Sequence, residues 1–141
     1  MGLRGPLKIV DKDFRPDPAR ENEPAPRMPA GLSPAAKAEW RRVARPLHRL
    51  GLLTELDRKT LGMYCEAVAR YERCQAYLAE HGETHVTHTG AEKPRPEYYV
   101  MMATLKEIRN FIALFGLSPS ARIRLQVEQP GKPDEMENLL D

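Results

Sequence analysis

Aromatic side chains are scarce in this chain, at 6% of 141 residues with a single Trp. That leaves no obvious stacking platform of the kind single-stranded nucleic acid needs. Cysteines number two, Cys65 and Cys74. Their nine-residue separation, at about 100° per residue on one helix, points them to opposite sides and forbids a mutual disulfide there. A reducing, intracellular setting is the expectation. No apolar run approaches the roughly 20 residues that span a bilayer. The N-terminus lacks the apolar centre of a secretory signal. The chain therefore reads as a soluble protein with no membrane partner.

Catalytic signatures are also missing. The early "GLRGPLK" has neither the spacing of a phosphate-binding loop nor its closing Ser or Thr, and there is no nucleophile elbow or HExxH. Ser33 and Ser118 stand where helix caps stand, which is their expected role. His81, His85 and His88 cluster downstream of Cys74, but their spacing matches no zinc pattern. In a strand, His85 and His88 would face opposite sides. Exposed loop histidines are the expectation, with no metal, no cofactor and no enzymatic activity.

What the chain does have is charge segregated along its length, at a net charge of only +2. Between residues 33 and 50, Lys37, Arg41, Arg42, Arg45 and Arg49 face one acid, Glu39. Arg122 and Arg124 follow later, and either extend a basic surface or meet acids of a neighbouring subunit. The last residues, 128–141, carry five acids against Lys132. Residues 1–32 hold six prolines and nearly balanced charge, with Arg4, Lys8 and Lys12 early. Such a segment buries too little to offset its ordering entropy, so an extended or disordered arm is expected.

Helical punctuation organises the middle. Ser33 caps and Pro34 opens a helix whose apolar stripe is Ala36, Trp40, Val43, Leu47 and Leu50. Lys37, Arg41, Arg45 and Arg49 step by four along another face. Pro46 removes the bond to the carbonyl of Arg42, which predicts a kink or an early stop, and Gly51 ends the element. A solvated face is the ordinary meaning of such a basic row. Its excess of cations also suits a phosphate backbone, and DNA contact by Lys37, Arg41, Arg42, Arg45 and Arg49 is the alternative. Arg4 and Lys8 would supplement it from the arm.

A second helix starts at Thr54, with Asp57 as the capping-box acid, and runs roughly 27 residues to Gly82. Leu61, Tyr64, Val68, Tyr71 and Leu78 mark its buried side. Residues 83–96 favour a short β-hairpin or an extended loop. The third helix, from about Glu97 to Phe115, is apolar on more than one face. Tyr98, Met101, Leu105, Ile108, Ile112 and Phe115 form one stripe, and Met102, Phe111 and Leu114 widen it. A helix this apolar needs cover from several sides, so an oligomer is expected. Tyr98, Met101, Met102, Leu105, Ile108, Phe111, Ile112 and Phe115 are its contact residues. Gly116 caps this helix, and "GLSPSARIRL" starts a short fourth one ending near Val127. The echo at "GLSPAAKAEW" is shared helix-start grammar, not a repeat.

The expected fold is all-α, with a small β-hairpin or extended loop between two long antiparallel helices. Its parts are an arm over 1–32, a helical core over 33–127 and an acidic tail over 128–141. The tail's Met136, Leu139 and Leu140 suit either a solubilising end or a docking peptide.

Several stretches resemble one known family. "AEWRRVARPLHRLGLLTELDRKTLGMYCEA", residues 38–67, resembles the core signature of a family of phage terminase small subunits. "LFGLSPSARIRL", residues 114–125, is similar to its C-terminal signature. "GLRGPLK" resembles its Gly-Arg-Gly-Pro opening, with Leu3 where a second basic residue is common. "KPRPEYY" resembles its Pro-x-Pro lead-in to the third helix, with Arg95 where His is frequent. The resemblance implies a non-enzymatic packaging component in the host cell cytoplasm, assembled as a ring of roughly eight to eleven copies. It would bind double-stranded viral DNA at the packaging start and recruit or regulate the large terminase subunit, an ATPase and nuclease. In that setting Met136, Leu139 and Leu140 would dock the large subunit. A dimeric helical transcription regulator, reading two half-sites, is the competing class.

Overall fold

The computed structural model describes residues 18–128, and within them α1 (Pro34–Arg49), α2 (Arg58–His81), β1 (Thr84–Val86), β2 (Glu92–Pro94), α3 (Pro96–Phe115) and α4 (Pro119–Glu128). Short 3-10 turns at Pro18–Arg20 and Glu55–Asp57 precede α1 and α2. The architecture is mainly helical, with one antiparallel two-stranded sheet. No described helix is long and apolar enough to cross a membrane.

Each helix begins and ends where local chemistry dictates. Ser33 accepts from the Ala36 amide at 3.3 Å, and Pro34 follows at the first helical position. At the other end Gly51 adopts φ +72°, its amide donates to the His48 carbonyl, and the Leu52 amide donates to Leu47. That pair of bonds satisfies carbonyls the helix leaves orphaned. Pro46 does not stop α1 early: the helix continues to Arg49. Proline in the last turn removes one bond, and the glycine-centred turn beyond supplies two. At α2 the Thr54 amide and hydroxyl both donate to Asp57, at 2.9 and 2.8 Å. Pro96 opens α3, and Gly116 closes it at φ +62°.

The central element is α2, about 36 Å long at 1.5 Å per residue, with α1 against one side and α3 against another. Its two cysteines, expected on opposite sides, are both buried and free, because both sides are covered. The pairing with α3 is antiparallel. The Tyr64 ring meets Phe111 edge-on at 6.1 Å, Arg70 bridges Glu107 at 3.3 Å, and Arg95 donates to the carbonyls of Gly82 and His81. Between the two helices the chain forms a hairpin, with Thr84 opposite Pro94 and Val86 opposite Glu92. The core gathers at the other end: Trp40, Val43, Leu47, Leu53, Leu61, Cys65 and Phe115 are buried together.

The described end of the N-terminal arm is extended and packed. Pro26 is buried, and Met28 and Leu32 lie against the core. Arg58 Nε donates to the Arg27 carbonyl at 2.7 Å, and the amide and hydroxyl of Ser33 donate to Glu66 at 2.7 and 3.0 Å. The expected flexible arm therefore contains a strap, residues 21–32, that crosses α2. Its apolar residues are few, but they meet a helix that already has a hydrophobic surface.

Candidate nucleic-acid interface

Burial of Ala36, Trp40, Val43, Ala44 and Leu47 fixes the orientation of α1. Lys37, Arg41 and Arg45 are consequently exposed, four residues apart on the side away from the core. Arg49 continues the row but is partly buried, and its Nε finds no hydrogen-bond partner among the described residues.

Arg42 stands apart from this row. It forms a two-bond pair with Glu39, at 2.6 and 2.8 Å. Glu39 also accepts from the Tyr64 hydroxyl at 2.8 Å, so the carboxylate ties α1 to α2. Burial pushes the Glu39 carboxyl up, but hydrogen bonds from Arg42 and Tyr64 outweigh it and hold the group below its ordinary value. Tyr64 is raised by burial and by its bond to the carboxylate. The bonds to Glu39 raise Arg42 likewise. Sequence spacing grouped Arg42 with the basic row; it missed that Arg42's acceptor, Glu39, is itself held by Tyr64, 25 residues beyond Glu39 on another helix.

The surface of α3 differs in part from the expected stripe. Phe115 is 3% exposed, and Ile108 and Phe111 pack against the chain's own core. Phe115 is thus a residue of the chain's own core, buried in the cluster that includes Leu53 and residues of α1. Tyr98, Met101, Leu105 and Ile112 are half-buried, and Met102 is exposed. Tyr99 and Val100, outside the expected set, are exposed on α3, and Met63 is exposed on α2. Leu114 is exposed as well. Periodicity finds the buried face of a helix but treats its remaining apolar residues as noise.

The histidines do not converge. His81 stacks on Tyr77 at 4.0 Å, and the described residues contain no group of His, Cys, Asp or Glu arranged to hold a metal. Cys65 is buried, and desolvation with the nearby Glu39 and Glu66 pushes its thiol up to about 12. Arg122 donates to the Gly116 carbonyl at 3.0 Å and so braces the α3–α4 turn. Arg4, Lys8, Lys12, Met136, Leu139 and Leu140 lie outside the described residues.

The described residues form a small, mainly helical protein with an exposed basic row on α1 and exposed apolar residues on α3. The model of the family described as phage terminase, small subunit, matches residues 36–132, and the chain belongs to that family. It therefore has a role in phage DNA packaging, among subunits that are generally non-catalytic. No curated protein and no solved structure matches the chain.

Proposed function

We propose that this chain is the ring-forming small subunit that binds viral duplex DNA at the packaging start and recruits the large terminase ATPase-nuclease in the host cytoplasm. The observation that carries the DNA reading is the exposed row Lys37, Arg41 and Arg45 on a helix whose opposite side is locked into the core. Each subunit contributes a few phosphate contacts and a ring sums them, so modest local affinity becomes firm binding. Arg49 stands at the end of the row, and Arg4 and Lys8 join from the arm. Arg42 contributes charge, held in place by Glu39.

Exposed apolar residues on α3 support the assembly. Met102 and Tyr99, with half-buried Tyr98, Met101, Leu105 and Ile112, form a surface that a neighbouring copy would cover. We assign roughly eight to eleven copies to the closed ring. Met136, Leu139 and Leu140, in an acidic tail, are the docking peptide for the large subunit.

Duplex binding by a Lys37/Arg41/Arg45→Ala variant, measured across a salt series, tests the DNA reading. The salt slope should fall by about one unit for each lost phosphate contact. Unchanged affinity and slope would reject α1 as the contact helix. Native mass of the full chain tests the ring, and a dimer there would favour the regulator class instead.

A further inference from the structure

A second apolar surface lies at the core end of the molecule, where the strap, α2 and α3 meet. It is a groove of about 550 Å³, with Pro29, Leu32, Gly62, Met63 and Phe111 as its apolar lining. Met63 is 54% exposed, so among the described residues nothing covers it. Leu114, one turn beyond Phe111 on α3, is exposed as well. The surface proposed for a neighbouring copy is elsewhere. Met102 precedes Phe111 by nine residues, about 14 Å along α3.

The rim of the groove is charged, and most of that charge is already matched. Glu66 accepts from the amide and hydroxyl of Ser33. Arg70 pairs with Glu107 at 3.3 Å. Lys59 is exposed and has no ion-pair partner among the described residues. Arg27, two residues before Pro29 on the strap, is likewise exposed. An apolar floor edged by uncommitted cations suits an acidic segment that presents apolar side chains on one face.

This chain carries such a segment. Residues 134–141, "DEMENLLD", hold four acids and no cation. Met136, Leu139 and Leu140 follow the i, i+3, i+4 spacing that aligns side chains on one helical face. The path back is short. Leu125 stands 3.0 Å from where a Cβ on Gly116 would lie, so α4 ends near the end of α3. Phe111 is five residues before Gly116, about 8 Å along the helix. The stretch from Glu128 to Met136 spans up to about 27 Å, which covers that return.

We propose that the groove is a docking site for the chain's own residues 134–141. Met136, Leu139 and Leu140 enter beside Met63 and Phe111, and the acids meet Lys59 and Arg27. Tethering supplies a local concentration on the order of mM, so a weak contact suffices. The contact stands without any reading of the tail's partner. Its consequence rests on the reading of these three residues as the large-subunit docking peptide: a tail held in the groove is withheld from the large subunit, which must displace it.

Hydrogen peroxide footprinting of the full chain reads the contact at Met63. The Leu139→Glu/Leu140→Glu variant changes the tail alone, and Lys59→Glu changes the rim. Met63 should oxidise several-fold faster in both variants than in the wild type, while Met102 oxidises at one rate in all three. Equal Met63 rates would overturn the proposal. A Met63→Cys/Met136→Cys chain, co-assembled from light and heavy isotope-labelled protein, identifies the occupant. The disulfide should join peptides of one isotope. Peptides linked across isotopes would show a neighbouring copy's tail in the groove and overturn the assignment to the chain's own.

Affinity for the purified large terminase subunit reads the consequence. Lys59→Glu leaves the tail intact and should bind several-fold tighter than the wild type. Equal affinity, with the groove contact established at Met63, overturns the withholding. If the wild type and Leu139→Glu/Leu140→Glu bind the large subunit equally, the docking-peptide reading fails and the withholding with it. Met63 oxidation still decides the groove.

Discussion

Glu39 determines what Arg42 is for. A guanidinium held by two short bonds, whose acceptor is itself bonded to Tyr64, serves as a brace between α1 and α2 before it serves as a phosphate ligand. Arg41→Ala should therefore weaken DNA binding with little change in thermal stability, and Arg42→Ala should show the larger stability loss. Melting curves paired with DNA titrations separate the two effects. Tyr64→Phe keeps the ring's packing against Phe111 and deletes one bond to the carboxylate, at a cost of about 1 kcal/mol near pH 7. Because Glu39 sits below its ordinary value when folded, its stabilisation is full above the unfolded carboxylate value of about 4.3 and is lost as pH falls through the lower folded value. The gap between wild type and Tyr64→Phe should accordingly narrow in urea denaturation at about pH 3. Cys65, buried with its thiol pushed up to about 12, should resist alkylation at neutral pH until the chain unfolds.

Where elements meet, two glycines decide how closely. Gly62 lies inside α2, where glycine costs about 1 kcal/mol relative to alanine. A Cβ there would stand 3.2 Å from Pro29 Cγ, so the missing side chain lets the strap lie flat on the helix. Gly62→Val should lift residues 26–32 and expose Arg27 to trypsin, while the helical signal by circular dichroism stays near that of wild type. Fast cleavage at Arg27 in the wild type as well would remove this account. Gly116 is more constrained. Its φ of +62° is strained for any side chain, and an added Cβ would meet Leu125, Arg122 and Leu52 at 3.0 to 3.2 Å. Gly116→Ala should destabilise by more than about 1 kcal/mol and loosen α4 from α3.

Seen as a whole, the molecule has its core at one end and a long helical hairpin extending from it. That leaves Tyr99, Val100 and Met102 on α3 exposed, far from the Trp40 cluster. An acidic residue in place of Met102 or Tyr99 should leave the monomer's helicity intact and reduce the native mass toward a single chain. Retention of a large assembly in the Tyr99→Glu/Met102→Glu variant would place the subunit contact elsewhere.

The caps were legible in the sequence. Ser33, Thr54 with Asp57, Gly82, Gly116 and Ser118 act within about four residues of chain, and so do the turns they enforce. Helical periodicity likewise identified the face of α1 that enters the core, which in turn left Lys37, Arg41 and Arg45 outside. The partnerships came from tertiary structure alone. Glu39 with Tyr64, Ser33 with Glu66, Pro29 over Gly62 and Glu23 beside His48 all join residues about 25 or more apart, where no local pattern carries information. Sequence composition made residues 1–32, which include the strap, look unable to pack, because it counts only what a segment can bury by itself. The fold supplies the other surface, and with it converts part of an arm into a strap and Arg42 into a brace.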